Sequence, residues 1–109
     1  MSFKPYHNIN GATAQQNELI AINDIAKDRI SSIQITNTDD AEVTVDLYIF
    51  KESTDTTASE TYYFLNTTKI PVGVSLILDN PNLLAFDSTT FSLYIKVGSG
   101  DTVDVMIKK

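Results

Sequence analysis

From residue 31 onward, apolar and polar side chains alternate one by one. Ile33 and Ile35 alternate with Gln34 and Thr36, and Val43, Val45, Leu47 and Ile49 alternate with Glu42, Thr44, Asp46 and Tyr48. Successive side chains of a strand point to opposite faces, so this period sets a row of branched aliphatics on one side and polar groups on the other. The two runs are joined by a short Asn/Thr/Asp cluster, which predicts an antiparallel hairpin over residues 30–37 and 42–51 with one buried face. The rhythm returns at Val74, Leu76 and Leu78, at Phe91, Leu93, Ile95 and Val97, and at Val103, Val105 and Ile107. Between the last two runs, Gly98-Ser99-Gly100-Asp101 supplies positive-φ positions for a hairpin turn.

The remaining segments are less regular. Tyr62, Tyr63, Phe64 and Leu65 predict an aromatic strand covered on both sides, its aromatic rings taken as core, and 83–86 reads as a short apolar strand after the turn Asp79-Asn80-Pro81-Asn82. Over 13–30 two patterns compete. Thr13-Ala14-Gln15-Gln16 fits a capping box with Leu19, Ile22, Ala26 and Ile30 at helical intervals, but β-branched Ile20 and Ile22 and the turn pair Asn23-Asp24 favour a strand over 18–23. Residues 1–17 form a polar N-terminal arm with isolated Phe3, Tyr6 and Ile9, placed either as an edge strand on its own sandwich or across a neighbour. The result is an all-β, antiparallel β-sandwich, Ig-like or jelly-roll-like, of eight to nine short strands in a single domain spanning 1–109. Lys51, Lys96 and Lys108 are expected to blunt exposed sheet edges.

A chain of 109 residues, 42% of them hydrophobic, buries roughly two-thirds of its unfolded surface and needs no staple. It has no cysteine, which leaves no disulfide framework or thiolate metal site. Its formal charge of −6 disfavours nucleic acid and anionic membranes as partners. No run approaches the roughly 18 to 20 apolar residues of a membrane span. The first ten residues lack the apolar core of a signal peptide, so synthesis and retention in the cytoplasm are expected unless an assembly carries the chain elsewhere.

The residues point to no enzyme, cofactor or metal. His7 is the lone histidine, too little for a nucleophile–base pair of the usual kind. Asp39, Asp40 and Glu42 cluster at the first hairpin tip but lack the spaced oxygens and glycine of a calcium loop, which leaves a weak cation site as the minor reading. Asp46 and Asp104 are expected to face outward on adjacent strands, where paired carboxylates would suit glycoside hydrolysis. Asn66-Thr67-Thr68 fits a glycosylation acceptor without a secretory signal to make it meaningful. Tyr48 and Tyr94 are the outward aromatics that a carbohydrate-binding module would need.

The order Ile33-Gln-Ile-Thr-Asn37, Val43-Thr-Val-Asp-Leu-Tyr-Ile49, Tyr62-Tyr-Phe-Leu65, Ile70-Pro-Val-Gly73-Val-Ser-Leu-Ile-Leu-Asp79, Phe91-Ser-Leu-Tyr-Ile-Lys96 and Val103-Asp-Val-Met-Ile107 resembles small β-sandwich virion structural proteins of tailed bacteriophages, notably marine cyanophages. The resemblance covers residues 30–109. It implies a non-enzymatic virion component, foremost a capsid decoration or cement protein bound to the major capsid protein or other virion proteins, with self-association left open. A neck, tail or fibre part on the same fold, or a carbohydrate-binding module, are the alternatives. On that reading the contacts fall on the arm (Phe3, Tyr6, Ile9) and on loops 52–60 and 80–90, which hold Asp55 and Asn82.

Overall fold

The alternating aliphatics do meet in one core. In the computed structural model, which describes residues 4–22 and 30–108, Ile33, Ile35, Val43, Val45, Leu47, Ile49, Leu93, Ile95, Val97, Val103, Val105 and Ile107 pack together in the space between two sheets. The chain runs β1 (Tyr6–Asn10), β2 (Gln16–Ile20), β3 (Ser32–Asn37), β4 (Val43–Lys51), β5 (Glu60–Ile70), β6 (Ser75–Leu78), α1 (Pro81–Leu84), β7 (Ser92–Val97) and β8 (Thr102–Lys108). The first sheet has the order β1-β8-β3-β6 and the second β2-β7-β4-β5, with every pairing antiparallel.

The pairs β1–β8, β2–β7, β3–β6 and β4–β5 are nested one inside the next. Eight strands wound this way form a double-sheet jelly roll rather than the seven-stranded Ig arrangement. Antiparallel order also sorts the connections. Loops 11–15, 38–42, 71–74 and 98–101 share one end of the sandwich, and the chain before β1, loop 52–59 and segment 79–91 share the other.

Three expectations change here. The hairpins expected over 30–37 with 42–51 and about the turn 98–101 do not form: β3 and β4, like β7 and β8, lie in different sheets, because each turn carries the chain across the core from one sheet to the other instead of back along the same one. Of the two placements expected for the arm, residues 6–10 take the first, an edge strand of the chain's own first sheet, bonded to β8. Residues 83–86 do not form a strand: Asn80 carbonyl oxygen accepts from Leu83 N and Leu84 N at 3.0 and 3.1 Å, and Pro81 begins a single helical turn. Proline at the first helical position is pre-set for this geometry and lacks a hydrogen that would go unbonded. Lys51, Lys96 and Lys108 lie on β4, β7 and β8, all interior strands, so they protect no edge. The edges are β1, β2, β5 and β6. The strand expected over 18–23 exists as β2 but begins earlier and stops at Ile20, while the turn at Asn23-Asp24 lies outside the described residues.

Candidate functional site

The polar loops 38–42 and 98–101, expected as hairpin tips, are connections between the sheets and serve as structural ties. Asn37 is buried at the end of β3, where its side-chain amide donates to the carbonyls of Ala41 (2.8 Å) and Ile70 (2.9 Å) and its Oδ1 accepts from Asp39 N (2.7 Å). Asp39 accepts from Asp40 N at 2.7 Å and, across the tip, from Thr102 N at 3.2 Å. Asp101 returns the gesture by accepting from Thr44 N at 3.1 Å. Loops from both sheets are thus laced by backbone amides bonded to carboxylates. Among the described residues no three His, Cys, Asp or Glu side chains gather as metal ligands would.

These amides, first that of Asp40, hold the Asp39 carboxyl below its ordinary pKa. A depressed carboxyl contributes stability above the unfolded-state pKa, and that contribution is lost as pH falls through the folded one. Acid unfolding followed by circular dichroism should therefore be less steep for Asp39→Asn than for the parent chain. Asp87 is depressed in the same direction by the Thr89 and Thr90 hydroxyls and the Thr89 amide, which close its own turn.

The other candidates disperse. His7 Nε2 bonds the Lys4 carbonyl at 2.9 Å, and burial, ahead of the nearby Lys4 charge, keeps the ring below its usual pKa. Asp46 and Asp104 are on different sheets, which corrects the adjacent-strand pairing. Asp104 accepts from Asn8 Nδ2 at 2.7 Å, and Asp46 accepts from the backbone N of Thr67, a residue held at φ 51° where β5 is irregular. Gly98–Asp101 is a turn closed by Asp101 N to Gly98 O at 3.0 Å. Thr67 of the Asn66-Thr67-Thr68 triplet is that same irregularity.

Of the expected contact residues, Tyr6 is exposed on the outer face of the first sheet, and Asp55 is exposed at the tip of loop 52–59. Asn82 lies on α1, at the same end as Asp55, and Phe3 lies outside the described residues. Ile9 is only 4% exposed and packs in the core opposite Val103. It faces inward because β1 is a strand of this sandwich, so its side chain is not offered to a partner.

Two surfaces remain. On the first sheet, Tyr6, Met106, Gln34 and Ile77 are in register across all four strands. Tyr6, Met106 and Ile77 are exposed, and past Ile77 an open groove of about 220 Å³ is lined by Phe64, Leu78, Leu84 and the 70%-exposed Leu83. On the second sheet, Glu18, Tyr94, Tyr48 and Tyr63 are in register across all four strands. Tyr48 stacks on Tyr94 (centroids 5.8 Å apart, planes at 8°) and leans on Tyr63 (5.3 Å), while Phe50 meets Tyr94 edge-on at 6.1 Å.

The covered-strand reading of Tyr62 and Tyr63 is therefore wrong: they are 54% and 51% exposed. Being β5, theirs is an edge strand with no neighbour to hide it, and residue pattern alone does not reveal edges. Tyr48, by contrast, points outward yet is only 6% exposed, because its aromatic neighbours cover it.

Compared with known protein families, curated proteins and solved structures, the chain matches none. Its function has to be read from its own surfaces.

Proposed function

We propose that this chain is a non-enzymatic structural component of a tailed-phage particle, a capsid decoration protein that stabilises the shell by gripping the major capsid protein. The observation that carries this reading is the apolar row of the first sheet. Tyr6, Met106 and Ile77 line up in a single register row, and Leu83, 70% exposed, extends it at the groove. Exposed apolar side chains gathered in one place mark interaction surfaces, whereas single scattered ones do not. Of the segments expected from sequence to touch a partner, α1 lines the groove at the end of this patch, and loop 52–59 opens at the same end of the sandwich. The jelly roll is also a recurrent capsid architecture, though it hosts other functions too.

A specific shell contact needs on the order of 1,000 Å², more than the row alone supplies, so the surrounding loops take part. Repetition over a symmetric shell multiplies modest contacts. Particle imaging should find the chain on the capsid in hundreds of copies. A dozen copies at a neck or tail would overturn the decoration reading in favour of the other virion positions. Leu83→Asp should abolish co-sedimentation with particles while leaving the melting temperature unchanged, because Leu83 stabilises nothing by being exposed. Undiminished attachment of that variant and of Tyr6→Ser would remove the patch from the account.

A further inference from the structure

The outer face of the second sheet is separate from the patch just described. Next to the tyrosine row runs a polar one, Gln16–Lys96–Asp46, in register across β2, β7 and β4. Members of both rows, with Phe50 and Thr61, border an open depression of about 240 Å³ lined by Gln16, Asp46, Tyr48, Phe50, Thr61, Tyr63 and Lys96. That is below the roughly 300–1,000 Å³ of a typical small-molecule site and close to the size of a single ring.

Most of the polar groups there are uncommitted. The Tyr48 ring is covered, so that the residue is more than nine-tenths buried, while its hydroxyl opens onto the depression without a hydrogen bond to any described residue. Burial first, then the Tyr63 and Tyr94 phenols and the Asp46 carboxylate, raises its pKa, so the hydroxyl keeps its proton. The side chains of Gln16 and Lys96 likewise have no hydrogen-bond or ion-pair partner among the described residues. Asp46 spends one carboxylate oxygen on Thr67 N and keeps the other.

We propose that this depression binds one pyranose ring of a neutral glycan, its C–H face against the half-exposed Tyr63 ring and its hydroxyls bonded by Gln16, Asp46, Lys96 and the Tyr48 hydroxyl. A sugar presents an apolar face beside a ring of hydroxyls, and an aromatic wall with mixed donors and acceptors is its complement. One ammonium and one carboxylate leave the lining without net charge, and the Glu18 carboxylate stands at the far end of the tyrosine row beside Tyr94, so the face selects a neutral ligand over a sulfated or uronic one. The polar floor also disfavours an apolar protein anchor, which would strand the Tyr48 hydroxyl and the Gln16 amide unpaired.

The test is affinity electrophoresis of the full chain in gels holding a soluble β-glucan, xylan or galactomannan, with a glycan array alongside. At least one neutral polysaccharide should retard the chain. Tyr63→Ala and Gln16→Ala should each weaken the retardation by about tenfold or more, the range seen for dominant contact residues. Tyr48→Phe keeps the ring stack and removes only the hydroxyl, so it should fold normally and bind less. Lys108→Ala, on the opposite sheet, should bind as the parent does. An empty array with unretarded gels, binding to anionic glycans only, or binding that survives both Tyr63→Ala and Gln16→Ala would each overturn the proposal. None of these outcomes bears on attachment to a particle.

Discussion

Asn37→Ala is expected to lower stability by about 2–4 kcal/mol, since each buried polar group left without a partner costs about 1–3 kcal/mol. The substitution removes one side chain and orphans three backbone groups: the carbonyls of Ala41 and Ile70 and the amide of Asp39. The Ile70 carbonyl is the costliest of the three, because that bond is buried and water has no ready access. For a domain of this length the unfolding temperature should fall by on the order of 15 °C. Asn37→Asp is expected to be worse still at neutral pH, because a carboxylate would face two carbonyl oxygens that need a donor. Acid should return part of the loss, by protonating the new carboxyl into a donor. Thermal melts at pH 4 and pH 7 give both results, and an alanine variant within ~0.5 kcal/mol of the parent, the range of an ordinary surface change, would mean that the Asn37 bonds contribute nothing net.

Gly11→Ala should be nearly as damaging, at about 1–3 kcal/mol. Gly11 sits in the loop after β1, with its amide donating to the Asp101 carbonyl at 2.7 Å. A Cβ there would overlap the Gly98 carbonyl oxygen and stand 3.1 Å from the amides of Gly100 and Asp101. All three are backbone atoms of the β7–β8 turn, so no side chain can swing aside and the loops must separate. Gly73 provides the contrast. It has open space around it but a φ of 75°, so Gly73→Ala should cost about 1 kcal/mol through conformation alone. Urea titration of the two variants should rank Gly11→Ala as the weaker fold, and the reverse order would mean that the first loop is pliable.

What the residue pattern revealed and what it hid divide along a physical line. The faces of β3, β4, β7 and β8 were legible because alternation is local: Ile33, Ile35, Val45 and Ile95 announce an inward side whatever they pair with. Partnership was not, because β1 finds β8 at the far end of the chain and nothing in Tyr-His-Asn-Ile-Asn names Val103 or Val105. Jelly roll and Ig-like sandwich therefore read alike. The same blindness to edges hid the exposure of Tyr62 and Tyr63 and misassigned Lys51, Lys96 and Lys108. At the second sheet, Tyr48 and Tyr94 were legible as outward aromatics, whereas Tyr63 and the Gln16–Lys96–Asp46 row required the register to place them together. Leu83 was misread because Pro81 and Asn80 outweigh the apolar run behind them.

The nesting of the strand pairs carries a kinetic consequence. Among the described strands only β4 and β5 are neighbours both along the chain and in a sheet, so their hairpin is the one described piece that can form with little loop-closure entropy. Every other ladder waits for a more distant segment, and the outermost one joins residues 6–10 to 102–106. Such a high contact order places refolding in the millisecond-to-second range. On the ribosome, β1 has no strand to bond until β8 has emerged, so its exposed edge is a period of vulnerability to association with other nascent chains.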